Sequence, residues 1–257
     1  KLPPVLLLPL SLLAGALGGG LFALIAGYLK AKRSMNETLI TMLLNYIGIY
    51  LVGFAVSTFL KEPNQHAPRS AILPKASWLP TLPGTYLHAG IVLVILFAVI
   101  LYLVLWKTTW GYAIRSVGAN PIAARYSGIN TANVIMLNMF FSGALAGLAG
   151  SCVILGEQHR LLENFIINYG FEAIPIAVLG GLHPAGVLIM ALLFGALKNG
   201  AQSMQIAINV PVAIVYMVQA IAIISIIALT AIKERFTKRS GKGVKLNEHP
   251  TKSHLFI

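Results

Sequence analysis

The run TLITMLLNYIGIYLVGFAVSTFL, residues 38–60, carries no charged side chain between Glu37 and Lys61. A helix crosses the hydrocarbon core of a bilayer with about 20 mainly apolar residues, so this run is long enough to span a membrane. Five further uncharged stretches reach comparable length, at residues 2–29, 76–106, 126–156, 173–197 and 199–232. None shows the alternating pattern of a barrel strand, and lipid offers the backbone no hydrogen bonds. The sequence therefore predicts an all-α fold, a polytopic transmembrane helical bundle.

Composition excludes several other classes of protein. Hydrophobic residues make up 57% of the 257-residue chain and only 10% of residues are charged, whereas soluble domains carry about 25% charged residues. The net charge of +12 would suit a nucleic-acid partner only if the basic residues shared one solvated face. They are divided among separate loops, so we expect no nucleic-acid partner. All seven acidic residues are glutamates and there is one cysteine, which excludes aspartate-dependent catalysis, a disulfide framework and a cysteine zinc site.

Lysine and arginine set the orientation, because cytoplasmic loops of membrane proteins carry an excess of both. Residues 30–36 and 107–130 hold three basic residues each, and residues 233–257 hold seven. These segments are predicted to be cytoplasmic, and the proline-rich loop at 61–88 external. The chain then consists of a transmembrane domain at 1–232 and a basic cytoplasmic tail at 233–257, which could also bind anionic membrane lipid.

An even number of crossings must separate the loop at 107–130 from the tail, because both are predicted to lie on the same side. Only three uncharged stretches lie between them, so the segment at 165–197 must cross twice, with a break at Gly180, Gly181 and Pro184. The first arm, at 165–179, is short for a span, and a re-entrant hairpin at 165–181 remains the alternative. If the arm at 165–179 is counted as a crossing, the chain has seven crossings and residue 1 lies outside.

Small residues four positions apart allow two transmembrane helices to approach closely. The pairs are Gly15 with Gly19, Gly143 with Gly147, Ala146 with Gly150, and Ala191 with Gly195. We interpret them as packing positions within the bundle.

The predicted cytoplasmic loop contains signals for a short helix. Asn120 is a suitable N-cap, Pro121 suits the first helical position, and Gly128 suits a left-handed C-terminal stop. The sequence predicts a helix over 121–127 with Ala123 and Ala124 forming a small face, and with Ile122 and Tyr126 one turn apart. This face could press into a groove on a partner, or the helix could be a capped connector without a partner.

The run GYAIRSVGANPIAARYSGIN at 111–130 resembles the coupling loop of ATP-binding-cassette importer permeases in the branched-chain amino acid, ribose and nucleoside group. The run NETLITMLLNYI at 36–47 is similar to a segment of the nucleoside and simple-sugar branch. The runs YGFEAI at 169–174 and VLGGLHPAGV at 178–187 are similar to the late helix pair of that branch. Together these resemblances extend over residues 34–229.

The resemblance implies a permease subunit that performs no covalent chemistry and forms one half of a two-subunit pore. It implies that an extracytoplasmic binding protein delivers a nucleoside or simple sugar, and that a cytoplasmic ATPase uses the ATP and Mg while this chain binds no cofactor. Family subunits have about ten helices, so seven crossings here would leave three missing at the N-terminus. The implied setting is the cell membrane of a prokaryote. The residues implied in ATPase coupling are Arg115, Gly118, Asn120, Pro121, Ala123, Ala124, Arg125 and Gly128.

Polar residues within predicted spans are candidates for the substrate pathway, because they are costly in lipid. Glu37 either lines the pathway or forms a capping box with Ser34, three residues earlier. Asn45 and Tyr46 face either a neighbouring helix or a nucleoside base and ribose. Glu172 lies in the short arm at 165–179 and requires a partner there, or it sits at the outer interface. We expect no metal site, because a two-residue pair such as His159 and Glu163 offers too few ligands.

Two other functional classes stay open on residue evidence. A secondary, ion-coupled transporter would use intramembrane acids and inverted repeats. An intramembrane enzyme has less support, because the chain has no His-Glu-x-x-His or Gly-x-Ser-x-Gly motif. The chain also lacks a Gly-x-x-x-x-Gly-Lys-Ser/Thr loop, so any ATP must be hydrolysed by another subunit.

Overall fold

A computed structural model of the chain describes residues 4–62, 68–81, 84, 88–163 and 169–208, together with single positions between 217 and 228. The regular structure of these residues is helical, with isolated β-bridges in the segments that connect the helices. The chain divides into two compact units at residues 1–169 and 170–257. The all-α prediction is confirmed.

Eight α-helices follow one another along the described residues: α1 (Pro4–Arg33), α2 (Glu37–Thr58), α3 (Gly90–Lys107), α4 (Thr109–Ala119), α5 (Pro121–Tyr126), α6 (Thr131–Val153), α7 (Tyr169–Leu179) and α8 (Pro184–Ile208). A 3₁₀ turn at Lys75–Ser77 precedes α3, and a π-helical segment at Ile154–Gln158 continues α6. Five of the helices, α1, α2, α3, α6 and α8, are long and apolar enough to cross a membrane. This agrees with a polytopic membrane protein.

Helices α1 and α6 pack along a seam of glycines, and we call Gly15, Gly19, Gly143 and Gly147 the glycine seam. A Cβ placed on Gly19 would lie 2.9 Å from the Cα of Gly147, and one placed on Gly147 would lie 2.9 Å from the carbonyl carbon of Gly15. Only residues without a side chain fit such a backbone approach. The packing prediction is confirmed for these two pairs.

The other two small-residue pairs have no such contact among the described residues, so their role in packing stays a prediction. A Cβ on Gly150 or on Gly195 would meet no atom within 4 Å among the described residues. Spacing alone cannot distinguish a helix contact from an open helix face, because all four pairs have the same four-residue interval.

The predicted break between the late helices is confirmed. Helix α7 ends at Leu179 and α8 begins at Pro184, and the turn between them contains Gly181 at φ +65° and Leu182 at φ +54°. The described part of α7 has 11 residues, or about 16 Å at 1.5 Å per residue. Residues 165–168 of the predicted arm lie outside the described residues. The crossing and the re-entrant hairpin therefore both remain predictions.

The boundary predicted at Lys198 is wrong. We divided the uncharged stretches there, yet α8 continues through Lys198 to Ile208. The reason is an ion pair between Lys198 and Glu172, which compensates the charge within the helix. Of the last predicted crossing, at 199–232, residues 199–208 belong to α8 and most of 209–232 lie outside the described residues, as does the predicted tail at 233–257.

Candidate functional site

The loop at 107–130 folds into two helices, of which the sequence predicted one. Helix α4 begins after Thr108, whose side-chain oxygen accepts a hydrogen bond from the backbone N–H of Gly111 at 3.1 Å. The same hydroxyl donates to the carbonyl oxygen of Val104 at 2.6 Å. Thr108 is a standard N-cap residue, so this signal was present in the sequence and was missed.

Helix α4 folds tightly against the end of α3. A Cβ on Gly111 would lie 2.5 Å from the carbonyl carbon of Leu105, so a larger residue would push the two helices apart. The guanidinium carbon of Arg115 lies 5.6 Å from the ring centroid of Trp106, within the range of a cation–π interaction. Arg115 was predicted as a coupling residue, and the structure places it where it stabilises the angle between α3 and α4.

Helix α5 is capped as the sequence predicts. The side-chain oxygen of Asn120 accepts hydrogen bonds from the backbone N–H groups of Ile122 at 3.0 Å and Ala123 at 3.1 Å. Pro121 occupies the first helical position, and Gly128 has φ +82° in the exit turn. The helix ends at Tyr126, with Ser127 as its C-cap. The predicted helix at 121–127 is therefore confirmed to within one residue.

The exposed face of α5 differs from the predicted one. Ala124 is only 4% exposed, so it packs inward and is not available to a partner. Ile122 is 68% exposed and Tyr126 is 90% exposed. Ala123 and Gly118 are also exposed. We call Ile122, Ala123 and Tyr126 the α5 face, and it replaces the predicted small face of Ala123 and Ala124.

Helix α5 is joined directly to α6. The Arg125 guanidinium donates a hydrogen bond to the hydroxyl of Thr131 at 3.4 Å, and Thr131 is buried at the first position of α6. The side chain of Asn130 caps α6 by accepting from the backbone N–H of Asn133 at 3.2 Å. The connection between α5 and the start of α6 is therefore short and hydrogen bonded.

Glu37 does not form the predicted capping box. Asn36 is the N-cap of α2, since its side-chain oxygen accepts from the backbone N–H of Thr38 at 3.0 Å. Ser34 has φ +52° and belongs to the end of α1, where its N–H donates to the carbonyl oxygen of Lys30. Glu37 pairs instead with Lys30, with the ammonium nitrogen 2.5 Å from Oε2.

The other pathway candidates on α2 lie on neighbouring faces. Asn45 is half-buried and follows Glu37 and Thr41 at four-residue intervals, so these three residues share one side of α2. Tyr46 is exposed. The structure thus groups Glu37 with Asn45 along one helix and places Tyr46 on an adjacent face.

Glu172 has a partner that the sequence did not reveal. The ammonium of Lys198 donates a hydrogen bond to Oε2 of Glu172 at 2.6 Å. The side chains are 18% exposed for Glu172 and 23% exposed for Lys198. The second carboxylate oxygen, Oε1, is buried and has no hydrogen-bond partner among the described residues. Glu172 and Lys198 are 26 positions apart on different helices, so no spacing rule could have joined them.

The opposite end of α6 carries a folded segment, residues 68–81 and 154–163, and we call it the outer cap because the loop at 61–88 is predicted to be external. Backbone bonds connect its two parts, from Leu79 N to Leu155 O at 3.0 Å and from Leu73 N to His159 O at 2.9 Å. The rings of Trp78 and His159 stack with centroids 3.8 Å apart. Beneath them, Leu12 of α1 packs with Leu79 and Leu155. The described residues contain no group of three His, Cys, Asp or Glu side chains that could hold a metal ion.

Comparison with known proteins identifies relatives over nearly the whole length of this chain. Residues 2–229 match the family described as branched-chain amino acid transport system, permease component. The guanosine transporter permease NupP of Bacillus subtilis is 35% identical over 94% of this chain and 70% of its own length. The glucose transporter permease TsgB13 of Haloferax volcanii is 33% identical over 95% of this chain and 66% of its own length.

A third relative, the nucleoside transporter permease NupB of Lactococcus lactis, is 33% identical over 96% of this chain and 70% of its own length. All three are described as ABC transporter permease proteins. No solved structure matches the chain.

Proposed function

The chain belongs to the family of permease components of the branched-chain amino acid transport system, and from this membership we propose that it imports a nucleoside or a simple sugar. It is an ABC importer permease and a multi-pass protein of the plasma membrane. The substrate class rests on relatives described as guanosine, nucleoside and glucose permeases. The comparisons do not support a secondary transporter.

The α5 face is the observation that supports coupling of this permease to an ATPase. It presents two large apolar side chains, Ile122 and Tyr126, on a short helix that is capped at its start and bonded to α6 at its end. Exposed aromatic residues on a rigid support are typical anchors in protein interfaces. We assign this face to a cleft in a cytoplasmic ATPase, which binds ATP and Mg and drives transport.

The outer cap suits a second partner, on the other side of the membrane. Helix α6 has 23 residues, or about 34 Å, and this length separates the α5 face from the outer cap. The cap is held by backbone bonds and by the stack of Trp78 on His159. We assign it to the docking of an extracytoplasmic binding protein that delivers the substrate, and a second permease subunit completes the pore.

The substrate pathway is assigned to Glu37, Asn45, Tyr46 and Glu172. Asn45 offers both a donor and an acceptor, as recognition of an uncharged nucleoside or sugar requires. Glu37 lies at the cytoplasmic end of the same side of α2, where its ion pair with Lys30 joins α1 to α2. This position suits the inner end of a pathway.

The test is Tyr126→Ala in the complete importer, reconstituted with its ATPase and binding protein. Truncation of an aromatic anchor should weaken ATPase association by about tenfold or more, and binding-protein-stimulated ATP hydrolysis should fall with it. Tyr112→Ala is the matched control, because Tyr112 is exposed on α4 in the same loop. We expect the control to associate as the unmodified protein does.

Unchanged ATPase affinity and transport in Tyr126→Ala would contradict the assignment of the α5 face and leave α5 a connector. An equal loss in both variants would assign docking to the loop as a whole. Uptake of guanosine or glucose by the unmodified importer tests the substrate class separately.

A further inference from the structure

The ion pair between Glu172 and Lys198 lies in an unusual position for two charged residues. Lys198 follows Pro184 by 14 residues and precedes Ile208 by 10, which places it about 21 Å from one end of α8 and about 15 Å from the other. Helix α8 is one of the candidate membrane spans. Charged residues near the middle of a span are rare, usually paired, and typical of substrate pathways.

The carboxylate of Glu172 is satisfied on one side only. Its Oε2 receives the Lys198 ammonium at 2.6 Å, while Oε1 is buried without a hydrogen-bond partner among the described residues. A carboxylate accepts about four hydrogen bonds in total, and a buried acceptor without a donor is destabilising. The arrangement therefore leaves one strong acceptor without a donor among these residues, and the groups that cover it must move aside for an outside donor to reach it.

The charge of the pair limits what that donor can be. Glutamate and lysine together are neutral, so a cationic donor would leave an uncompensated positive charge in the middle of the span. A neutral hydroxyl group can donate to Oε1 without changing the net charge. Nucleosides and simple sugars carry such hydroxyl groups on their sugar rings.

We propose that Oε1 of Glu172 accepts a hydrogen bond from a sugar hydroxyl of the transported nucleoside or sugar, and that Lys198 orients the carboxylate for this contact. The inference rests on the proposed substrate class. Side chains of a helix point toward its N-terminus, so Lys198 reaches back along α8 toward the turn from α7. Lys198 is a positioning residue, and Glu172 is the specificity determinant.

The decisive variant is Glu172→Gln in the complete importer, measured by uptake into proteoliposomes. The Lys198 ammonium requires an oxygen, so it should hold the amide carbonyl and turn the amide nitrogen to the Oε1 position. That position then offers a neutral amide N–H in place of the charged acceptor, so a sugar hydroxyl loses its charge-assisted hydrogen bond, with almost no change in volume. The probes are guanosine and whichever of 2′-deoxyguanosine and 3′-deoxyguanosine the isolated binding protein still binds.

We expect the unmodified importer to prefer guanosine, and Glu172→Gln to lower guanosine uptake by about tenfold with little effect on the deoxynucleoside. The ratio of the two uptake rates should then approach one. An unchanged ratio, or an equal fall for both probes, would overturn the inference while the proposed function stands. If the unmodified importer takes up neither guanosine nor glucose, the proposed function fails and takes the inference with it.

A charge exchange separates substrate contact from a structural ion pair. The double variant Glu172→Lys with Lys198→Glu keeps one charge of each sign, and its copurification with the ATPase shows whether it assembles. We expect guanosine uptake to stay low, because the acceptor has moved to α8. Recovery of uptake to the unmodified rate would show that the pair only holds α7 to α8. If the double variant does not assemble, the probe ratio of Glu172→Gln decides.

Discussion

Replacement of Gly147 by alanine tests the glycine seam between α1 and α6. The new Cβ would lie 2.9 Å from the carbonyl carbon of Gly15 and 3.2 Å from the Cα of Gly19. The carbonyl oxygen of Gly15 would lie closer still, and ordinary contact begins at 3.4 Å, so the two helices must separate by well over 0.5 Å at this point. The atoms in the way belong to the backbone, and they cannot avoid the methyl group by a change of rotamer.

Overpacking of this kind costs about 1–3 kcal/mol. The unfolding entropy per residue makes 1 kcal/mol worth about 2 °C in a chain of this length, so Gly147→Ala should lower the unfolding midpoint by about 2–6 °C. Gly150→Ala is the matched control on the same helix, because its Cβ would meet no atom within 4 Å among the described residues. Alanine also favours a helix over glycine by about 0.5–1 kcal/mol, so the control midpoint should stay level or rise slightly.

The assay is thermal unfolding of the purified full-length protein in detergent, followed by tryptophan fluorescence. The two variants make the same chemical change three residues apart, so expression, detergent and helix propensity are shared. A midpoint for Gly147→Ala equal to or above that of Gly150→Ala would refute the seam.

The remaining predictions concern topology and the cap of α5. In a Cys152→Ala background, a cysteine at the exposed Ala76 should react with an impermeant reagent from outside, and one at Ser240 should react only after permeabilisation; the reverse pattern would invert the orientation. Asn120→Ala removes the acceptor of two backbone N–H groups at the start of α5 and should cost about 1 kcal/mol. ATPase copurification should fall, with retention at the unmodified level counting against a preformed coupling helix.

Several helix ends could be predicted from the sequence because they depend on residues only a few positions away. The start of α5 depends on Asn120 and Pro121, which act on backbone groups within three residues, so the sequence alone predicts it. The break between α7 and α8 follows in the same way from Gly181 and Pro184. Such signals need no knowledge of tertiary packing, and the structure confirms each of them.

Features that depend on a neighbouring element were missed or misplaced. Ala124 was predicted on the docking face because it is small, yet it is buried within the loop. Ser34 and Glu37 have the spacing of a capping box, yet α1 extends to Arg33 and leaves the cap to Asn36. The capping-box spacing is present, but the length of α1 places Ser34 at its end, and for Ala124 packing rather than size decides which face the side chain takes.

Lys198 shows why the ends of a membrane span cannot always be predicted from single charges in the sequence. A single lysine within an apolar stretch predicts the end of a span, because an isolated charge is costly in lipid. The cost falls when a carboxylate lies 2.6 Å away, and that carboxylate belongs to a helix 26 residues earlier. Counting charges along the sequence does not reveal this partner. The count therefore places a boundary at Lys198, although the ion pair allows α8 to continue through it. The charge that interrupts the uncharged stretches is therefore also the partner of the carboxylate that we assign to the substrate pathway, and paired charges within spans are typical of such functional sites.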